Sequence, residues 1–266
     1  MKNMRKFSFN EQARRFITYI VYIIFSLYTL YKLINEPSVA GKVSYLIILF
    51  LFLGIACWAE YLHILYQNMI EALTMKGNLI EAYCYYADLK RKDFLKSYRQ
   101  PLLVFETLYY QDSNQPKKSI QVIENNEKVF KSSLDYLLIK YYTYFYSNYR
   151  LGNRSQVKKY YPKVMNLKGA RGKGMKVSPL YNWEFIEAIY LFSTKDYKNS
   201  LSKFKQINIK NMNPRECSQY YLEFAKIYLT LNDKENAKKM FLKTVENGKQ
   251  LIYATEAKSL YDKGQG

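Results

Sequence analysis

The sequence predicts an all-α protein in which an N-terminal transmembrane hairpin precedes a domain of paired helices. Three observations lead to this class. Two long apolar runs lie in the first 62 residues, glycine and proline number only 10 and 6 among 266 residues, and apolar residues recur at helical spacing after the runs. Because turns depend on glycine and proline, their scarcity favours long helices over a loop-rich β fold. The predicted division is a basic N-terminus at 1–16, the hairpin at 17–62 and the helical domain at 63–266.

The predicted hairpin consists of two apolar segments, residues 17–34 and 43–62. Each segment carries a single charged residue near its end, and a span needs roughly 20 residues to cross about 30 Å of hydrocarbon. A buried core helix is the alternative for either segment, but a run as apolar as LIILFLFLGIACWA is typical of a membrane span. No glycine or proline separates the second segment from Gly77. We therefore expect its helix to continue into the domain and to end at Gly77.

Basic residues before the first segment determine the predicted topology. Five lysines and arginines precede Phe16, whereas the connector between the segments has one lysine, Lys42, and one acid, Glu36. Since lysine and arginine are retained on the cytoplasmic side, we expect two spans in the cell membrane with both termini in the cytoplasm. Cleavage of the first segment as a signal peptide after Ala40 is an alternative. It also leaves the large domain in the cytosol.

The helical domain is strongly basic. Residues 1–62 contain seven basic and three acidic residues, which leaves 34 basic and 19 acidic residues in 63–266, a net charge of +15. This charge favours an anionic partner, either an acidic or amphipathic peptide or protein, or anionic membrane lipids. Proximity to an anionic leaflet without specific contacts is the alternative. Nucleic acid is disfavoured, because the tyrosines fall at core-facing and groove-facing helical positions and no helix-turn-helix pattern appears.

A helix pair recurs through the domain. Its clearest copy is SQYYLEFAKIYLTLNDKENAKKMFLKTVENGKQ, residues 218–250, in which Ala225 and Ala237 allow two helices joined at LND to approach closely. The upstream positions equivalent to Ala225 are Ile70, Thr107, Phe145 and Ala188. The intervals between the five positions are 37, 38, 43 and 37 residues. This pattern resembles the tetratricopeptide repeat (TPR), whose unit is about 34 residues.

The TPR resemblance implies an α-solenoid of about four to five helix pairs, with a capping helix in the C-terminal TEAKSLYDKGQG. It also implies a concave groove, lined by the first helix of each pair, that binds a peptide or a partner's helix. The residues that match groove positions are Tyr142, Tyr146, Tyr149, Arg150, Phe185, Ile189 and Lys226. A buried core position is the alternative for Tyr146. The implied function is a membrane-anchored interaction adaptor or scaffold.

Another function remains open alongside the adaptor. The chain is also compatible with an accessory or immunity-type protein, which would act through its hairpin on a transporter or a membrane-active peptide. The two hypotheses differ in which part of the chain carries the activity. Replacement of the hairpin by a foreign one would abolish activity in the second case and spare it in the first.

Residues suited to catalysis or cofactor binding are scarce. His63 is the only histidine, so a His-based triad or metal site would depend on it alone. The GARGKG loop, residues 169–174, lacks the Lys-Ser/Thr ending of a P-loop. We therefore expect no enzyme activity, no cofactor and no metal. Contact with an anionic surface is expected for the basic residues of this loop, with a solvated loop as the alternative. They are Lys168, Arg171, Lys173 and Lys176.

Overall fold

The computed structural model describes the backbone of residues 2–172, 175–178 and 180–263, and the side chains of 16–171, 177–178 and 180–262. The α-helices of this part are α1 (Lys2–Asn35), α2 (Val39–Thr74), α3 (Leu79–Lys92), α4 (Arg99–Asp112), α5 (Pro116–Asn125), α6 (Leu134–Arg150), α7 (Arg154–Met165), α8 (Trp183–Ser193), α9 (Tyr197–Gln206), α10 (Pro214–Thr230), α11 (Lys234–Gly248) and α12 (Ile252–Lys263). Two short strands, β1 (Arg171–Gly172) and β2 (Met175–Lys176), pair antiparallel. The prediction of an all-α fold is confirmed for the described residues, with this small hairpin as its one exception.

The chain divides into two compact units, residues 1–65 and 66–266. In the first unit, Phe52 of α2 packs against Phe25 and Tyr22 of α1, with ring centres 4.0 and 5.6 Å apart. Two helical segments, Phe16–Asn35 and Val39–Thr74, are long and apolar enough to cross a membrane. They contain the predicted spans. Most of their large apolar side chains are exposed, as expected for surfaces that face lipid.

A tight turn joins α1 to α2. The Glu36 carboxylate accepts hydrogen bonds from the backbone N–H and the hydroxyl of Ser38, at 3.3 and 2.8 Å, and the Gly41 N–H donates to the same hydroxyl at 3.0 Å. A Cβ atom at Gly41 would lie 2.5 Å from the Glu36 side chain. Glycine therefore allows the start of α2 to lie close to this carboxylate.

Helix pairs in the second unit share one type of connection. The pairs are the C-terminal part of α2 (residues 66–74) with α3, α4 with α5, α6 with α7, α8 with α9, and α10 with α11. In each connection one residue has a positive φ, between 59° and 72°, and the next residue is the N-cap of the second helix. The residues with positive φ are Gly77, Asn114, Gly152, Lys195 and Asn232. They lie 37, 38, 43 and 37 residues apart, which are the intervals predicted for the repeat.

Small or apolar residues twelve positions apart bring the two helices of a pair together. The Ser119 hydroxyl donates to the Thr107 carbonyl at 2.9 Å, and the Ser200 hydroxyl donates to the Ala188 carbonyl at 2.7 Å. All such residues in four of the pairs are buried. They are Thr107 with Ser119, Phe145 with Val157, Ala188 with Ser200 and Ala225 with Ala237. The helix-pair packing expected from the sequence is confirmed at these positions.

Contacts continue between the pairs and join the two ends of the series. Every helix from α3 to α12 contacts the next one along the chain, and α4 contacts α6, α8 contacts α10 and α10 contacts α12. At the ends, the Gln250 N–H donates to the Gly77 carbonyl at 3.3 Å. A Cβ atom at Gly77 would lie 3.0 Å from the Gly248 carbonyl oxygen. The connection between α2 and α3 therefore lies directly against the end of α11.

Candidate functional site

Polar and aromatic side chains from four helices meet inside the second unit. Helices α4, α6, α10 and α12 all contribute, so the cluster connects parts of the chain that lie far apart in sequence. We call it the inner cluster. Its members are Asp112, Tyr142, Tyr146, Tyr149, Arg150, Arg215, Gln219, Glu223, Lys226, Tyr253 and Glu256.

One part of the inner cluster is a buried ion pair. The Arg215 guanidinium donates through Nε and Nη2 to the two carboxylate oxygens of Asp112, at 2.5 and 2.9 Å, and the Tyr253 hydroxyl donates to Asp112 at 2.8 Å. Burial alone would lower the pKa of Arg215, but the adjacent Asp112 carboxylate raises this pKa well above its usual value. Because both charges are removed from water, each depends on the other for its stability.

The second part is centred on the carboxylate of Glu223. The hydroxyls of Tyr146 and Tyr149 donate to it at 3.3 and 2.5 Å, and the Lys226 ammonium donates at 3.2 Å. Burial, reinforced by the negative charge of Glu223, raises the pKa of both tyrosines well above its usual value. The hydroxyls therefore remain protonated and act as hydrogen-bond donors to the carboxylate.

Helix α12 contributes a second carboxylate, that of Glu256, which pairs with two cations, Lys226 and Arg150. Glu256 lies 2.7 Å from Lys226 of α10 and 2.7 Å from Arg150 of α6. The contact with Arg150 is an ion pair that is not aligned as a hydrogen bond. Burial raises the pKa of Glu256, but Lys226 and Arg150 lower it further, so this pKa lies below its usual value. Two cations and two carboxylates, those of Glu223 and Glu256, therefore balance at this position.

The residues predicted to line an open groove lie in the interior of this structure. Tyr142, Tyr146 and Phe185 are 3%, 1% and 6% exposed, and Ile189 is fully buried. The Tyr142 ring stacks on Tyr181 with centres 3.6 Å apart, and its centre is 5.8 Å from that of Tyr146.

The remaining predicted groove residues, Tyr149, Arg150 and Lys226, are half-buried and contact Glu223 or Glu256. The structure thus brings six of the seven predicted residues into contact with one another or with the inner cluster, because Tyr146 also contacts Phe185. Ile189, the seventh residue, is a buried residue of α8. Their role in partner binding stays a prediction, and it requires the interior to become accessible.

Several members of the inner cluster were not predicted. They are Asp112, Arg215, Gln219, Glu223, Tyr253 and Glu256. The sequence contained a local signal for Glu223 alone, because it precedes Lys226 by three residues and such residues share a helix face. Asp112 is separated from Arg215 by 103 positions and from Tyr253 by 141. No local pattern joins residues at those separations.

The basic loop after α7 contains the predicted anionic contact. Lys168 and Arg171 are exposed. The backbone of Lys176 pairs with Arg171 across the two short strands, but its side chain lies outside the described residues, as does all of Lys173. Ser178 donates from its N–H and hydroxyl to the Asp135 carboxylate at 2.9 and 3.2 Å, which attaches the end of the loop to the start of α6.

Comparison with protein-family models, curated proteins and solved structures gave no match. Among the described residues, no three His, Cys, Asp or Glu side chains converge where they could hold a metal ion.

Proposed function

We propose that the protein is a membrane-anchored adaptor whose helical domain binds an acidic helical segment of a cytosolic partner. One observation carries this proposal. Arg150 and Lys226 lie at the inner cluster, and one of the two carboxylates that balance them, Glu256, belongs to the C-terminal helix α12. A helix that offers a carboxylate beside apolar residues is therefore the kind of ligand that this chemistry favours.

The adaptor role requires the helix pairs to form a TPR-like α-solenoid. Support comes from the repeated left-handed residue before each N-cap, from the buried residues twelve positions apart, and from the contacts between alternate helices. In solenoids each unit packs on its neighbours, and the inner helices provide a continuous binding face. We assign that face to α4, α6, α8 and α10.

Anchoring in the cell membrane is the second requirement. The segments Phe16–Asn35 and Val39–Thr74 are each long enough to cross the bilayer. The basic residues before Phe16 favour a cytoplasmic N-terminus, and two crossings return the chain to the same side. The helical domain would then meet its partner at the inner surface of the membrane.

Anionic lipids are a further proposed contact of this domain. From Arg154 to Trp183 the chain contains no acidic residue, and Lys168 and Arg171 are exposed. Each basic residue near an anionic leaflet contributes about 1 kcal/mol to attraction. Sedimentation with anionic vesicles should therefore weaken after Lys168→Glu and Arg171→Glu, whereas Lys195→Glu, outside this loop, serves as the control.

Affinity capture from gently solubilised membranes tests the adaptor role. We expect the full chain, and a chain that carries a foreign transmembrane hairpin, to retain the same partner. A chain that lacks residues 63–266 should lose it. Loss of the partner on hairpin exchange, with retention by the hairpin alone, would instead favour the accessory or immunity-type function.

A further inference from the structure

We propose that the inner face of α6 and α10 is a binding site for an acidic amphipathic helix of a partner, and that α12 is its intramolecular occupant. The inference rests on the proposed adaptor function and specifies the ligand of the same site. In this arrangement the protein is closed when α12 is docked. A partner helix must displace α12 in order to bind.

The contacts of α12 are those of an amphipathic ligand. One face of the helix is buried through Tyr253, Ala254 and Ala257, and Glu256 on this side reaches Arg150 and Lys226. The opposite face is exposed, with Thr255, Lys258, Ser259 and Asp262. A tyrosine, a small residue and a carboxylate within one helical turn therefore define what the site accepts.

The charges of the site require that a replacement for α12 also presents a carboxylate to Arg150 and Lys226. With α12 displaced, Arg150 and Lys226 would face only the Glu223 carboxylate, to which both are already paired at 3.9 and 3.2 Å. One positive charge would then be unbalanced, on side chains that are 10% and 17% exposed while α12 is docked. An apolar or basic occupant would leave that charge buried without a partner, which is unfavourable. An acidic helix restores the balance.

The series of helix pairs is complete without α12. Its five connections lie between α2 and α11, and its buried residues twelve positions apart lie in α4 to α11. The link to α12 contains Lys249, whose φ of 47° is unfavourable for a residue with a side chain. Undocking of α12 would relax this residue while the helix pairs keep their packing.

A peptide with the sequence of residues 250–263, QLIYATEAKSLYDK, tests the site without knowledge of the partner. The labelled peptide is added to the full chain in detergent, either unaltered or with Tyr253→Ala and Glu256→Gln to weaken docking of α12. We expect the double variant to bind the peptide at least about tenfold more tightly than the unaltered chain. A control peptide with Glu256→Gln should bind the double variant about tenfold more weakly than the native peptide.

Circular dichroism shows whether each variant is folded, and Glu256→Gln alone provides a milder variant if the double one is not. The proposal would be overturned by a folded variant that does not bind the peptide, or by one that binds both peptides with equal affinity. Unfolding of both variants would also overturn it, because α12 would then be an integral part of the core. If the peptide experiment fails but residues 63–266 still capture a partner, only the proposal about α12 is refuted and the adaptor function is retained. Loss of that capture would refute the adaptor function itself.

Discussion

Asp112 and Arg215 carry charged side chains that are buried in the protein interior, where a charge is less well stabilised than in water. Each loses its hydration on folding, and the bidentate contact at 2.5 and 2.9 Å, with the additional Tyr253 hydroxyl, replaces it. The pair joins α4 to α10, so it favours one arrangement of these helices over others. Such a pair adds little net stability, but the loss of one partner is costly.

Removal of Arg215 should therefore be strongly destabilising. We expect Arg215→Met to lower the free energy of unfolding by about 3 to 5 kcal/mol, because Asp112 remains buried and unpaired. Equilibrium urea unfolding of the detergent-solubilised chain measures this loss. The control is Arg91→Met, which breaks an exposed pair with Asp88 and should cost less than about 1 kcal/mol. Equal losses for the two variants would contradict the buried pair.

Glu256 makes the stability of the protein depend on pH. Its folded-state pKa lies below the usual value of 4.5, so its ionised form is favoured by folding. The stabilisation is therefore complete above pH 4.5 and is lost as the pH falls through the lower folded-state value. Melting temperatures should favour the unaltered chain over Glu256→Gln at neutral pH, and the difference should shrink in acid. A difference that does not change with pH would exclude a charged Glu256 as its source.

At the scale of helices, the repeated connection explains why the chain tolerates different residues at one position. Glycine, asparagine and lysine all occupy the left-handed conformation, at Gly77, Gly152, Asn114, Asn232 and Lys195. Glycine adopts it without strain, asparagine with little, and lysine with more. Because the shared feature is a conformation and not an amino acid, the repeat is difficult to see as a motif.

Gly152 allows this conformation to be tested without steric interference. Its φ is 72°, and a Cβ atom there would meet nothing within 4 Å. We expect Gly152→Ala to cost about 1 to 2 kcal/mol in urea unfolding through backbone strain alone. Gly152→Asn should cost less, since asparagine occupies the equivalent positions 114 and 232. The prediction fails if the two variants are equally destabilised.

The sequence predicted the helix pairs better than it predicted what lies between them. Apolar and small residues at positions such as Ala225 and Ala237 follow local periodicity, so the helices and their spacing could be inferred. The contact of α12 with the inner cluster could not be inferred, because Glu256 meets Arg150 through the tertiary packing of helices that are distant in sequence. The +15 charge indicated an anionic ligand, but not that the chain itself contributes a carboxylate.

At the scale of the whole molecule, the predicted membrane topology is tested by the side of the membrane on which each part of the chain lies. We expect a reporter fused after Gly266 to be active only in the cytosol and one inserted at Val39 to be active only outside. The reason is the asymmetry between five basic residues before Phe16 and one in the connector. Moving the basic residues from the N-terminus to the connector serves as a control and should weaken this orientation. Reversed reporter signals in the unaltered chain would refute the topology.

The bond between the Gln250 N–H and the Gly77 carbonyl has a consequence for cooperativity. In a linear array of repeats each unit contacts only its neighbours, so the outermost units can fray and melting can proceed inwards. Within the described part of the chain, the first and last helix pairs instead meet at Gly77 and Gly248, so that contact would have to break before either pair could fray. The second unit should therefore resist stepwise melting and lose its pairs together.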